Sequence, residues 1–321
     1  MTYELQNMEH NLPILTLQAY KLKSFNSFKT PNVAEAKHRI WIIAFPAIVA
    51  AAFLFLKETP NPSSSYPLIG FITGILVGVS GVGAGSILTP TLILGFGVTP
   101  LIAVGTDLIH SFLMKSIGSM KHHNQRTVDR KLTKRLLIGA APASLIGALL
   151  TSHLAKDSLN QVNGWITLTL SALLTLTGVL TLFQTFNLVN SPYRKPLLSA
   201  SSSAYSAVAI MVGFLVGFLV SVTSVGGGAL LMPFLLTLFP ISLRQVVGTD
   251  ISVAAVLTAI PGLTYLYFGA VNLRLLGLLL IGSVPGILIG SSLNHRAPNK
   301  AIRLLLGVIL TSLGLIMIWF R

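Results

Sequence analysis

Residues 71–90 read FITGILVGVSGVGAGSILTP and residues 104–107 read VGTD, while residues 214–233 read FLVGFLVSVTSVGGGALLMP and residues 247–250 again read VGTD. The two passages are offset by 143 residues. The same offset carries Gly70 onto Gly213, Gly139 onto Gly282, Pro142 onto Pro285, Gly147 onto Gly290 and Gly164 onto Gly307, with no gap. An apolar stretch broken near its middle by glycines therefore occurs twice, in two halves copied from one unit. Duplication on this scale is the pattern of many secondary transporters, and the period is far beyond the roughly 20–50 residues of a solenoid repeat.

The composition agrees. Of 321 residues, 53% are hydrophobic and 9% charged, against about 25% charged in a soluble domain, so a water-facing surface cannot be assembled from this supply. Several apolar runs approach the roughly 20 residues that cross a hydrocarbon core. The balance of 22 Lys and Arg against 8 Asp and Glu would suggest nucleic acid in a soluble protein. Here the basic residues lie between apolar runs, where they orient the chain in the membrane, and no nucleic-acid partner is expected. The absence of cysteine removes disulfides and thiolate sites at once.

Along the chain, residues 1–39 form a basic polar tail and 40–56 an additional transmembrane helix. The first repeat spans 68–183, a linker with Pro192 and Pro196 covers 184–205, and the second repeat spans 206–321. After each broken stretch come three apolar runs, about 102–120, 136–154 and 163–183, then 246–268, 275–293 and 302–320. If each broken stretch crossed the bilayer once, the basic residues would divide about evenly between the two sides. If each folds as a hairpin and the tail is cytoplasmic, 17 lie inside, Lys57, Lys156, Arg274 and Arg321 lie outside, and Lys115 falls within a span. The positive-inside bias selects the hairpin. A hairpin plus three spans is an odd passage, so the second repeat must be inverted relative to the first. The expected fold is an all-α polytopic membrane protein with two inverted repeats, each a Gly-broken helical hairpin plus three transmembrane helices, preceded by the extra N-terminal helix. Whether the hairpins are re-entrant or two short crossings is left open by parity.

Asp107 and Asp250 are the acidic residues within apolar spans, at equivalent positions. A carboxylate there costs roughly 2.5–3.5 kcal/mol on insertion scales and faces a bundle interior or a water cavity. Two readings stand. Each aspartate caps a helix beginning after Gly105-Thr106 or Gly248-Thr249, or it takes part directly in proton coupling or gating together with Thr106 and Thr249. His110, one turn beyond Asp107, shares its face and could exchange a proton with it; its counterpart is Val253. The breaks supply the substrate-binding candidates, Ser80, Gly81, Gly83 and Gly85 in the first and Thr223, Ser224, Gly226, Gly227 and Gly228 in the second. Glycine lets backbone N–H groups point into a cavity, and the helix that starts after a break offers its positive end to an anion. Gly70, Gly74 and Gly78, matched by Gly213, Gly217 and Ser221, read instead as faces for close helix packing, as do Gly282, Gly286 and Gly290. Lys115 either attracts an anion or extends its amine to the interface. His122-His123 has no companion ligands nearby, and neither metal nor cofactor is expected. No nucleophile elbow or Walker A loop occurs, so the chain is read as a non-enzyme.

With these residues in view, Phe71 to Pro90 with Val104 to Asp107, and Phe214 to Pro233 with Val247 to Asp250, resemble the sulfite exporter TauE/SafE family of membrane permeases. The resemblance covers roughly residues 68–320. It implies export of sulfite, sulfonates or related small oxyanions. Two departures are visible: Gly83-Ala84-Gly85 stands where the family often has a fuller glycine triplet, and the aspartate after Gly-Thr is frequently a small polar residue there. The expectation is a secondary-active permease for small anions, working by alternating access in a bacterial inner membrane with its N-terminus cytoplasmic. A passive anion channel of the same architecture is the alternative. Coupling to a proton or another cation, and homo-oligomerisation, are left open.

Overall fold

The computed structural model describes residues 62–80, 85–124, 127–190, 197–198, 204–226, 228–294 and 299–319, all within the unit Val49–Arg321. The basic tail, the expected helix over 40–56, Gly81, Gly83 and Gly227 lie outside the described residues. Those described form ten helices: α1 (Pro62–Ser80), α2 (Gly85–Phe96), α3 (Pro100–Asn124), α4 (Arg130–Asp157), α5 (Leu159–Asn190), α6 (Ala204–Thr223), α7 (Leu231–Leu238), α8 (Leu243–Tyr267), α9 (Leu273–Asn294) and α10 (Asn299–Trp319). Five of them, α4, α5, α6, α8 and α9, are long and apolar enough to cross a membrane. The helices turn large apolar side chains such as Ile138, Ile146, Trp165, Phe183 and Ile281 outward, as a lipid-facing surface requires.

α3, expected as a span over 102–120, has 25 residues and so the length to cross. Asp107, His110, Ser111, Lys115 and Ser116 lie along it. Its equivalent α8 keeps Asp250 but has Val253, Ala254 and Thr258 at the positions of His110, Ser111 and Lys115. Both helices run unbroken through Gly105-Thr106 and Gly248-Thr249. This corrects the capping reading in which those pairs end a loop: Asp107 and Asp250 sit two turns inside their helices. The N-cap of α8 is Ser242, in a capping box with Gln245, and α4 is capped by Asp129, whose carboxylate accepts from the backbone N–H groups of Lys131 and Leu132.

Four pairings organise the bundle: α1 lies against α9, α4 against α6, α3 against α8 and α5 against α10. α1 and α6 hold equivalent places in the two halves, as do α4 and α9, so the first two seams are one contact made twice with the halves exchanged. Their detail repeats as well. Gly70 and Gly74 of α1 face the backbone of Leu279 and Ser283 in α9, while Gly213 and Gly217 of α6 face the backbone of Leu136 and Ala140 in α4. At each of these positions the approach is so close that a Cβ would collide with the neighbouring main chain, the use of small residues expected where helices must touch without a hydrophobic driving force.

Candidate functional site

The second break begins where α6 ends. Thr223 donates its hydroxyl to the Leu219 carbonyl and accepts, less tightly, from the Val225 N–H. Ser224 follows with φ of 59°, a left-handed conformation that non-glycine residues rarely adopt. Its N–H still reaches the Val220 carbonyl at 2.7 Å. The chain then turns through Gly226, whose carbonyl accepts from both Leu230 and Leu231, and Gly228, with φ of 81°, into α7. Tyr265 of α8 donates its hydroxyl to the Ser221 carbonyl at 2.9 Å, fastening the end of α6 just before the break.

The first break ends at Gly85, and there the two breaks meet. A Cβ on Gly85 would strike the Ser224 carbonyl oxygen and would stand 2.7 Å from Asp107 Oδ2. The same carboxylate oxygen accepts a hydrogen bond of 3.0 Å from the Thr89 hydroxyl of α2. Thr89 is also 2.7 Å from the Ser224 hydroxyl. Thr89 and Ser224 share a hydrogen bond between their hydroxyls, both act on the Asp107 carboxylate, and a chain of hydroxyls runs from the second break to α3. The strained backbone at Ser224 is thus tied to a side chain that needs it there.

Asp250 is held differently. Its Oδ1 accepts from the Gly228 N–H at 2.9 Å, so the aspartate binds the turn before α7 and not the start of its own helix. His110 Nε2 is hydrogen-bonded to Ser283 Oγ of α9 at 2.7 Å, and its Nδ1 is 3.9 Å from Asp107 Oδ1, beyond direct hydrogen-bond reach. Lys115 interacts electrostatically with both aspartates. Asp107, His110, Thr89, Ser224 and Asp250 are all buried.

Thr106 and Thr249, grouped with the aspartates on sequence, do other work. Thr106 Oγ1 accepts from the N–H of Asn272 and Thr249 Oγ1 accepts from the N–H of Asp129, each at 3.0 Å. Asn272 and Asp129 are equivalent residues directly ahead of α9 and α4. Gly105 and Gly248 admit the backbone of Ala270 and Thr127 beside these bonds. Each threonine therefore latches the start of a helix belonging to the other half. Of the remaining candidates, Ser80 closes α1. Thr89, Ser111, Tyr265 and Ser283 were missed on sequence. For Thr89, Ser111 and Ser283 the available signal was a polar residue inside an apolar helix whose equivalent in the other half is apolar, here Met232, Ala254 and Ala140. Among the described residues, no group of three or more His, Asp or Glu side chains stands close enough to hold a metal ion.

Comparison with known proteins gives one consistent result. Residues 66–317 match the family described as Sulfite exporter TauE/SafE. The probable membrane transporter protein YjnA of Bacillus subtilis is 35% identical over 254 residues, covering 79% of this chain and 98% of that protein. The probable membrane transporter protein YunE of the same organism is 25% identical over 265 residues, covering 77% and 94%. No solved structure matches the chain.

Proposed function

The chain belongs to the sulfite exporter TauE/SafE family, a transporter family and not a family of enzymes, and we propose from that premise and from the site that it is a secondary-active permease for small oxyanions. Sulfite and organic sulfonates are the substrate class, and export from a bacterial cytoplasm is the direction. The observation that carries the proposal is the junction of the two breaks at Gly85 and Ser224, beside a buried carboxylate. Irregular backbone persists at membrane depth where it lines a cavity or packs on protein, and exposed backbone N–H groups at a helix start suit a planar or pyramidal oxyanion.

The proposal includes the inverted repeat. Seams that recur with the halves exchanged, and latches that recur at Thr106 and Thr249, support two copies related by a twofold operation. The distribution of basic residues supports an axis in the membrane plane, with the N-terminus cytoplasmic. Alternating access then amounts to each half adopting in turn the conformation of the other.

The test is reconstitution of the full chain in liposomes with an imposed pH difference, offering sulfite, sulfate, a sulfonate and a carboxylate in turn. Uphill accumulation of sulfite or the sulfonate, lost in Gly85→Ala, is the expected result. Flux that only ever runs down its own gradient would identify a passive channel, and full activity in Gly85→Ala would remove the breaks from the substrate path.

A further inference from the structure

The duplication keeps a carboxylate in both halves but keeps its hydroxyl and imidazole neighbours in only one. Around Asp107 stand Thr89, Ser224, His110 and Ser111, with Ser283 behind His110, while Lys115 acts on both carboxylates and more strongly on Asp250. At the equivalent positions around Asp250 the sequence has Met232, Gly81, Val253 and Ala254, with Ala140 behind Val253. Asp250 has its Oδ1 engaged by the Gly228 N–H. Asp107 Oδ1, His110 Nδ1 and Ser111 Oγ, by contrast, have no hydrogen-bond partner among the described residues. The three residues are spaced i, i+3 and i+4 on α3, hence on one face, and each is at most 1% exposed. Buried polar atoms are almost always partnered. Of the three atoms, Oδ1 and Nδ1 are separated by 3.9 Å, a spacing for a ligand that bridges them, and the Ser111 hydroxyl lies against the same carboxylate.

We propose that Asp107, His110 and Ser111 form the coupling-cation site, that the cation is a proton held on Asp107 and shared through one bridging water with His110, and that Asp250 carries none. One carboxylate oxygen, one imidazole nitrogen and one hydroxyl are too few ligands for a hard metal cation such as Ca²⁺, which takes about 6–8 oxygens, but they provide the two to four partners that a buried water requires. Loading forms an O–H bond on Asp107 Oδ1 from a hydronium ion, which is left as water, and release on the other side reverses the step. Ser283 positions His110 by its bond to Nε2. This deepens the anion-permease reading and rests on it for the coupling: Asp107 is joined through Thr89 to Ser224 at the second break, so neutralising it removes a negative charge from beside the oxyanion. Each ligand then favours the other's binding, as reciprocal linkage requires. The other charged groups on helices packed against α3 are few. α2 and α5 have none, α9 has Arg274 at its start, and α8 has Arg244 at its start and Asp250 facing the site. Lys115 lies on α3 itself, and the neighbouring phenols are Tyr205 on α6 with Tyr265 and Tyr267 on α8.

The test is pH-difference infrared spectroscopy on the purified full chain, following the carboxylic-acid stretch, with sulfite flux measured separately in liposomes containing a pH-reporting dye. Expected are a titrating band lost in Asp107→Asn, retained in Asp250→Asn, and displaced by about one pH unit or more in His110→Val. Ser111→Ala, a milder change, should displace it in a protein that remains monodisperse. A band that survives Asp107→Asn and disappears in Asp250→Asn overturns the assignment, as does a midpoint unmoved in both His110→Val and Ser111→Ala. A midpoint that shifts with added sodium at constant ionic strength overturns the proton in favour of a metal cation. A correct band pattern in a protein that moves no offered anion leaves the proton site standing and removes the anion reading. Proton-driven sulfite flux unchanged in Asp107→Asn does the reverse.

Discussion

Gly74 connects helix packing to the candidate site, and three alanine substitutions separate the two effects. A Cβ on Gly74 would stand 2.6 Å from the Ser283 carbonyl oxygen and 2.9 Å from its Cα, where ordinary contact begins at 3.4 Å. The obstacle is main chain and cannot rotate away, so α1 and α9 must separate by about 0.5–0.8 Å at that level. A radial gap of about 0.5–1 Å forfeits roughly a quarter to a half of a dispersion well, and overpacking of this kind costs about 1–3 kcal/mol. Gly217→Ala meets Ala140 Cα at 2.8 Å in the equivalent seam and should cost a similar amount. Gly277→Ala, with nothing within 4 Å, should instead stabilise α9 by up to about 1 kcal/mol through helix propensity. The first two substitutions differ in one respect. Ser283 holds His110 at 2.7 Å, and a displacement of that size carries the pair to the edge of hydrogen bonding, whereas Ala140 holds nothing. Thermal unfolding of detergent-purified variants should therefore rank Gly277→Ala above wild type and the other two below it by similar margins. Only Gly74→Ala should alter the pH profile of anion flux. Equal stability of Gly74→Ala and Gly277→Ala would refute the packing argument, and an identical pH profile for Gly74→Ala and Gly217→Ala would refute the link to His110.

The two latches make a matched pair. Thr106→Val and Thr249→Val each leave a partly buried backbone N–H without its acceptor, at about 1–3 kcal/mol, and should lower the melting temperature by comparable amounts. A large loss in one and none in the other would show that the latches are not equivalent. Because the chain contains no cysteine, single cysteines at positions 99 and 125 give a clean topology measurement. An impermeant thiol reagent added outside intact cells should label the first and not the second, and labelling of both would overturn the hairpin topology.

How much of this was legible in the sequence depended on how local the cause is. α3 and α8 begin and end at equivalent residues, Pro100 and Leu243, then Asn124 and Tyr267, because the pattern that makes them is carried in the duplicated passages themselves. Gly70, Gly74, Gly213 and Gly217 were readable as packing positions because their four-residue spacing specifies one helix face. Gly105-Thr106 misled. A glycine followed by a threonine and an aspartate looks like a helix start, but the helix continues because the chain near Ala270 and Asn272 fills the glycine's missing side chain and bonds to the threonine. That partner lies more than 160 residues away, and no local rule supplies it. The same holds for His110 and Ser283, 173 residues apart.

Symmetry and its violation fall on different residues, and the division has a physical basis. Contacts that set the distance between helices, the glycine seams and the threonine latches, are duplicated. If the two halves exchange conformations during transport, the packing must be equally sound in both states, and a seam present in only one half would bias the equilibrium by its whole energy. A proton site carries no such requirement. Two copies would neutralise two carboxylates for each anion, whereas one copy leaves Asp250 free to hold its turn at Gly228 throughout. Divergence is accordingly confined to side chains that can change without altering helix separation: His110 against Val253, Ser111 against Ala254, and Ser283, whose backbone still receives Gly74 just as Ala140 receives Gly217. In the proposed cycle the duplicated seams serve both conformations, and the unduplicated side chains hold the ion.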